Sequence, residues 1–94
     1  MEPTDKEIMD NKKATLLKAV GKAVYKKRSE IKKGINKFSY EYDIGNGLLS
    51  RLENGKTDVK ITTLYKIANA FEMKFTDFAL LIEKELPKDF DFYL

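Results

Sequence analysis

Apolar residues recur along most of this chain at separations of three and four, the period of a helix with one buried face. Leu17, Val20, Val24 and Ile31 form such a seam, with Ala14, Leu16 and Ala23 beside it. The spacing predicts a first helix over about 13–32, with Gly21 a small penalty inside it. Thr4-Asp5-Lys6-Glu7 has capping-box form and would allow an earlier start. Gly34 is expected to stop this helix by adopting a positive φ. A second, short helix is predicted from Ile35 to Tyr42, burying Phe38 and Tyr42, and Asp43-Ile44-Gly45 reads as a turn. Leu48, Leu49 and Leu52 give a third helix, Asn46 to Glu53, its apolar side, and Gly55 its stop. Asn54-Gly55 could mark a hairpin, but the flanking residues have helical spacing. Thr62 or Thr63 is expected to cap a fourth helix reaching Phe71, with Leu64, Ile67, Ala68 and Phe71 inward. Thr76 is expected to cap a fifth, with Asp77 in its first turn and Phe78, Leu81 and Ile82 inward. That helix ends at Leu86, before Pro87.

The expectation is therefore all-α, with five helices. The parts are an N-terminal arm or helix extension over 1–12, a helical domain over 13–86 and an aromatic tail over 87–94. The tail, Asp89-Phe90-Asp91-Phe92-Tyr93-Leu94, is too apolar to be inert if fully exposed. Phe90, Phe92 and Tyr93 either fold back on the first helix or meet a partner.

Composition narrows the chemistry. The 94 residues make one domain. There is no Cys, which removes disulfides and thiolate metal sites, and no His, which removes His-ligated zinc and His general bases. No metal and no cofactor is expected. No apolar run is long enough to span a membrane, and the polar, acidic first residues do not resemble a signal peptide, so a cytoplasmic location is the default. Net charge is only +3, but residues 12–37 hold ten Lys or Arg against Glu30 alone. A basic block between acidic ends suggests a polyanion on one side of the molecule. The bland alternative is a solvated, Lys-rich helix face.

The third predicted helix has Asn46, Ser50 and Arg51 mostly off its apolar side. Arg pairs with guanine and Asn with adenine through two hydrogen bonds each in the major groove. The same pattern also fits an ordinary solvated helix face.

Leu48-Leu49-Ser50-Arg51-Leu52-Glu53-Asn54-Gly55-Lys56, followed by Thr63-Leu64-Tyr65-Lys66-Ile67-Ala68-Asn69-Ala70-Phe71, resembles the Cro/phage-repressor (XRE) helix-turn-helix family over about residues 16–80. The resemblance implies a five-helix lambda-repressor-like domain, here with a longer first helix and a short aromatic tail. It implies that Arg28 pairs with Glu53, and that small Ser39 permits a close approach of helices two and three. It places Asn46, Gly47, Ser50 and Arg51 at base edges, and Leu48 either touches a thymine methyl or is simply core. Phosphate contacts are expected from Lys33, Asn36, Lys37, Lys56, Thr57, Lys60 and Thr62.

Four departures from the family pattern stand out. Asp43 replaces a frequent turn Gly, and Gly45 replaces the usual Ser or Thr cap. Ile35 stands where Gln often bonds phosphate, and Gly47 lacks the side chain common at a reading position.

The implied function is a sequence-specific transcriptional regulator, inserting helix 46–53 into the major groove of double-stranded DNA as a homodimer. Two alternatives are an antitoxin that binds a toxin through the tail or N-terminal segment, and a protein-interaction module that has lost DNA binding. No enzyme is expected, because no base and nucleophile can be assigned.

Overall fold

The computed structural model describes residues 2–93. Five helices follow in order: α1 Asp5–Glu30, α2 Ile35–Tyr42, α3 Asn46–Glu53, α4 Ile61–Ala70 and α5 Phe75–Glu85. Among the described residues all regular structure is helical. None of the helices is long and apolar enough to cross a membrane.

Helix α1 begins at Asp5, not Lys13, so the N-terminal segment extends the helix instead of forming a separate arm. The cause is the cap. Thr4 Oγ1 accepts from the Glu7 amide at 3.1 Å, and the Thr4 hydroxyl reaches the Glu7 carboxylate at 3.2 Å. Asp5 and Glu7 in the first turn, with Lys27 and Arg28 in the last, complement the helix dipole. The 26 residues span about 39 Å, which accounts for much of the 48 Å long axis of the molecule.

The end of α1 also differs from expectation. Lys32 takes the positive φ, at 56°, whereas Gly34 is extended and precedes α2. The Lys33 amide bonds Arg28 O and the Lys32 amide bonds Ser29 O, a Schellman closure that satisfies the last carbonyls. Helices α3 and α4 end in the same way, at Gly55 (φ 68°) and Glu72 (φ 57°). Because α1 ends at Glu30, Ile31 is left over a third exposed rather than in the seam.

The expected threonine caps of α4 and α5 are corrected too. α4 starts at Ile61 behind Lys60, and α5 at Phe75 behind Lys74, with no side-chain cap on either. Thr62 and Thr76 therefore lie inside their helices. No hydroxyl cap sets these starts: the chain is already helical at Ile61, which is largely exposed, and at Phe75, which lies against the core.

The core gathers Val20 and Val24 of α1, Phe38 of α2, Leu49 and Leu52 of α3, Ile67 of α4 and Phe78 of α5. Phe38 meets Tyr42 and Phe71 in tilted ring contacts at 4.8 and 5.1 Å. Ile44, in the turn, is also buried and fixes the path from α2 to α3. The tail folds back on α1. Lys12 Nζ bonds Asp91 Oδ1 at 2.7 Å and also the Tyr93 carbonyl, and Phe90 is half-buried against Phe92.

Candidate nucleic-acid interface

Three devices hold α3 in place. The first is the Arg28–Glu53 pair. Arg28 donates from Nε to Glu53 Oε2 at 2.7 Å and from the second guanidinium nitrogen to Oε1 at 2.8 Å. Its third nitrogen donates to the Lys33 carbonyl at 2.8 Å. The two side chains keep only 12% and 7% of their surface. Arg28 has its pKa raised, chiefly by the Glu53 hydrogen bond and against the opposing effect of burial. One guanidinium thus ties the end of α1 to the end of α3 and to the α1–α2 loop.

The second device is a bare backbone contact. A Cβ on Gly21 would stand 2.6 Å from the carbonyl oxygens of both Leu52 and Glu53. Only glycine lets α1 lie this close to the last turn of α3. The third is the turn. Asp43 adopts the left-handed conformation (φ 53°), the Ile44 amide returns to Ser39 O at 3.0 Å, and Lys66 Nζ caps the Asp43 carbonyl at 3.1 Å. Ser39 is buried beneath this turn.

So held, α3 presents Asn46, Gly47, Ser50 and Arg51 to solvent, while Leu49 and Leu52 are buried. Leu48 is half-buried, at a small hollow shared with Thr57, Val59, Lys60 and Thr63. Asn46 Nδ2 donates to Asn36 Oδ1, which ties the first residue of α3 to α2. A Cβ at Gly47 would stand 3.2 Å from an Arg51 guanidinium nitrogen, so Arg51 lies back along the bare side of the helix.

The residues expected at phosphates are less uniform. Lys56, Lys60 and Thr62 are exposed and Thr57 is half-buried, all between α3 and the start of α4. Lys37 is exposed, with Glu41 3.9 Å away. Lys33 is engaged inside the molecule. It bonds Glu41 and, at 3.1 Å, the Tyr42 hydroxyl, and its ammonium lies 5.0 Å from the Tyr42 ring centre. Those hydrogen bonds raise the Lys33 pKa, and Lys33 in turn lowers that of Glu41.

The basic block of the sequence is likewise partly answered from within. Lys12 pairs with Asp91, Lys13 with Asp58, Lys26 with Glu85 and Lys27 with Glu30. Lys18, Lys22 and Lys32 have no carboxylate partner among the described residues. Charge counted along the sequence therefore overstates the free positive surface. Spacing gave no signal of the Asn36–Asn46 bond, because the two residues sit on different helices. Tyr40, on the outer face of α2, is 90% exposed and was also missed.

The pattern of a protein family described as Helix-turn-helix matches residues 26–78, more than half of the chain. The chain belongs to this family, of the Cro/phage-repressor type. Helix-turn-helix proteins of this type are DNA-binding regulators and typically not enzymes. The matched region runs from the last turns of α1 into α5, and takes in Arg28, Glu53, the turn and the whole of α3. Most of α1 and the aromatic tail lie outside it. No curated protein and no solved structure matches the chain.

Proposed function

We propose that this helix-turn-helix protein is a sequence-specific transcriptional regulator whose α3 enters the DNA major groove. The observation that carries this reading is the outward row Asn46, Ser50 and Arg51 on a short helix whose inner side and far end are fixed by Leu49, Leu52, Gly21 and the Arg28–Glu53 pair. A rigidly mounted helix with hydrogen-bonding side chains on its free face meets the geometric need of base readout.

Arg51 is the principal base-reading side chain, suited to the paired acceptors of guanine, and Asn46 suits adenine. Asn46 gives one of its two N–H donors to Asn36, which leaves its second N–H and its Oδ1 for an adenine. Ser50 can donate or accept. Gly47 reads nothing itself but leaves room for Arg51. Lys37, Lys56, Thr57, Lys60 and Thr62 set register on phosphates, which fixes position and not sequence. Asn36 joins them by way of Asn46. Lys33 contributes to the phosphates only by giving up Glu41. A cytoplasmic site of action goes with DNA as the partner.

A second reading is a protein-interaction module that keeps the fold without DNA binding. The internal pairing of Lys33 and much of the α1 basic block favours it. An antitoxin would combine both activities, with the outward Tyr93 of the tail or the N-terminal part of α1 available to a toxin.

Selection of bound sequences from a random double-stranded DNA pool, with the full-length chain, tests the proposal. Recovery of a defined motif supports it. A pool that stays random after repeated rounds at low salt overturns it in favour of the protein-interaction reading.

A further inference from the structure

Helix α1 runs alongside the segment that leaves α3. A Cβ on Gly21 would press on the carbonyls of Leu52 and Glu53, and one on Gly55 would stand 2.9 Å from Lys18 Cγ and 3.1 Å from Lys18 Cα. Nearer the start of the helix, Lys13 Nζ lies 3.6 Å from Asp58 Oδ2. Residues 21, 18 and 13 of α1 thus meet residues 52–53, 55 and 58 in reverse order. The segment that carries Lys56, Thr57 and Lys60 therefore has α1 as its neighbour along its first half.

Lys13 and Lys18 stand at that junction, and both are exposed. Lys18 has no carboxylate partner among the described residues. Lys13 has Asp58, but the two side chains keep 55% and 70% of their surface, so the pair is open to water and weak. An ammonium has three N–H donors, so Lys13 can hold Asp58 and a phosphate together. Lys12, Lys26 and Lys27 are committed elsewhere, to Asp91, Glu85 and Glu30. Asp58 is also the only acidic residue between Glu53 and Glu72. A lone carboxylate among candidate phosphate contacts opposes a polyanion, and Lys13 is the cation that answers it.

We propose that α1 makes its own contacts to the DNA backbone. Lys13 and Lys18 take phosphates beside those met by Lys56 and Thr57, and Asp58 moderates the affinity by competing for Lys13. The inference rests on the DNA-binding reading and carries the interface beyond it. Both lysines lie outside the matched residues 26–78, and the phosphate contacts expected from the sequence all fall between Lys33 and Thr62.

The test is fluorescence anisotropy of a labelled, mixed-sequence duplex of about 30 base pairs, roughly three helical turns, titrated with the full chain at several salt concentrations. Backbone contacts carry no sequence information, so no operator is needed. Lys13→Gln and Lys18→Gln remove a charge but keep a long stem and a good helix former. Each should lower the log–log salt slope by about one, and the pair by about two. Lys84→Gln makes the same change of charge on α5, beside Lys26 and Leu81, and should leave the slope as it is. Asp58→Asn should tighten binding by roughly two- to threefold at low salt, the order that one like charge within a side-chain length of a phosphate imposes in water. That gain should vanish at high salt, where the carboxylate is screened. Unchanged slopes in Lys13→Gln and Lys18→Gln overturn the inference. So does an equal fall in Lys84→Gln, which would reduce the effect to net charge. An Asp58→Asn chain that binds no tighter overturns the role given to Asp58. A wild-type chain that ignores the duplex even at low salt overturns the DNA-binding reading as well. Binding that Lys56→Gln weakens and the α1 variants do not overturns this inference alone.

Discussion

At the scale of single residues, Arg28 does the most connecting. It serves Glu53 through two hydrogen bonds and the Lys33 carbonyl through a third. Removing either charge leaves the other almost dry. Arg28→Met and Glu53→Gln should therefore each cost about 3 kcal/mol in urea denaturation, and the double substitution less than their sum. Single variants with unchanged midpoints would show that the pair is not holding α3. Arg51 and the lysines should fail differently on DNA. Arg51→Ala is expected to cost about 1–3 kcal/mol on the best operator and to relax preference at one base pair. Lys56→Ala should weaken all sequences alike and lower the log–log salt slope by about one. Binding constants on matched and mismatched duplexes, at several salt concentrations, separate the two. If Arg51→Ala weakens every sequence equally, Arg51 grips phosphate and another residue reads.

At the scale of elements, the helix ends carry the design. Left-handed residues close α1, α2, α3 and α4, yet of these only Gly55 is glycine, the others being Lys32, Asp43 and Glu72. Gly55 has a further reason, because a Cβ there would meet Lys18 Cγ at 2.9 Å. Gly21 sits mid-helix, where alanine would ordinarily gain about 1 kcal/mol in helix propensity. Here the added methyl meets two backbone carbonyls at 2.6 Å, and backbone cannot rotate away. Overpacking of this kind costs about 1–3 kcal/mol. Gly21→Ala should thus be destabilising on balance, and should weaken DNA binding further by pushing the end of α3 outward. A thermal midpoint that rises in Gly21→Ala would refute the close approach.

At the scale of the whole molecule, the ends of the chain meet. The tail carboxylate of Asp91 lies on Lys12 and accepts the Tyr93 amide at 3.0 Å, with its pKa lowered chiefly by the Lys12 hydrogen bond. A carboxylate depressed in the folded state stabilises above its ordinary pKa of about 3.9, and that contribution is lost as pH falls through the lower, folded value. The tail should therefore stay docked at neutral pH and come away from α1 below about pH 4. Amide chemical shifts of residues 89–93 during an acid titration read this directly. Lys12→Ala should reproduce the released shifts at neutral pH while the five helices persist. Tail signals that match the docked state in Lys12→Ala would place the anchor elsewhere.

The sequence by itself determined the helical class, the spans of α2 and α3, most of the core and the family. These rest on local periodicity and on a motif contiguous along the chain, both written in neighbouring residues. Phe38, Leu49, Leu52, Ile67 and Phe78 could be assigned inward because helical spacing needs no knowledge of the partner helix. Tertiary structure alone decided what depends on elements distant in sequence. It started α4 and α5 before their threonines, with no side-chain cap on either. It turned Gly21 from a weak point of α1 into the contact with α3. It neutralised Lys12, Lys26 and Lys33 against carboxylates of the tail, α5 and α2, so the basic block became a smaller free positive surface. It returned the tail to α1, a choice the tail's own composition left open. Ion pairs and close backbone approaches are fixed by distances in space, and spacing along one helix carries no information about them.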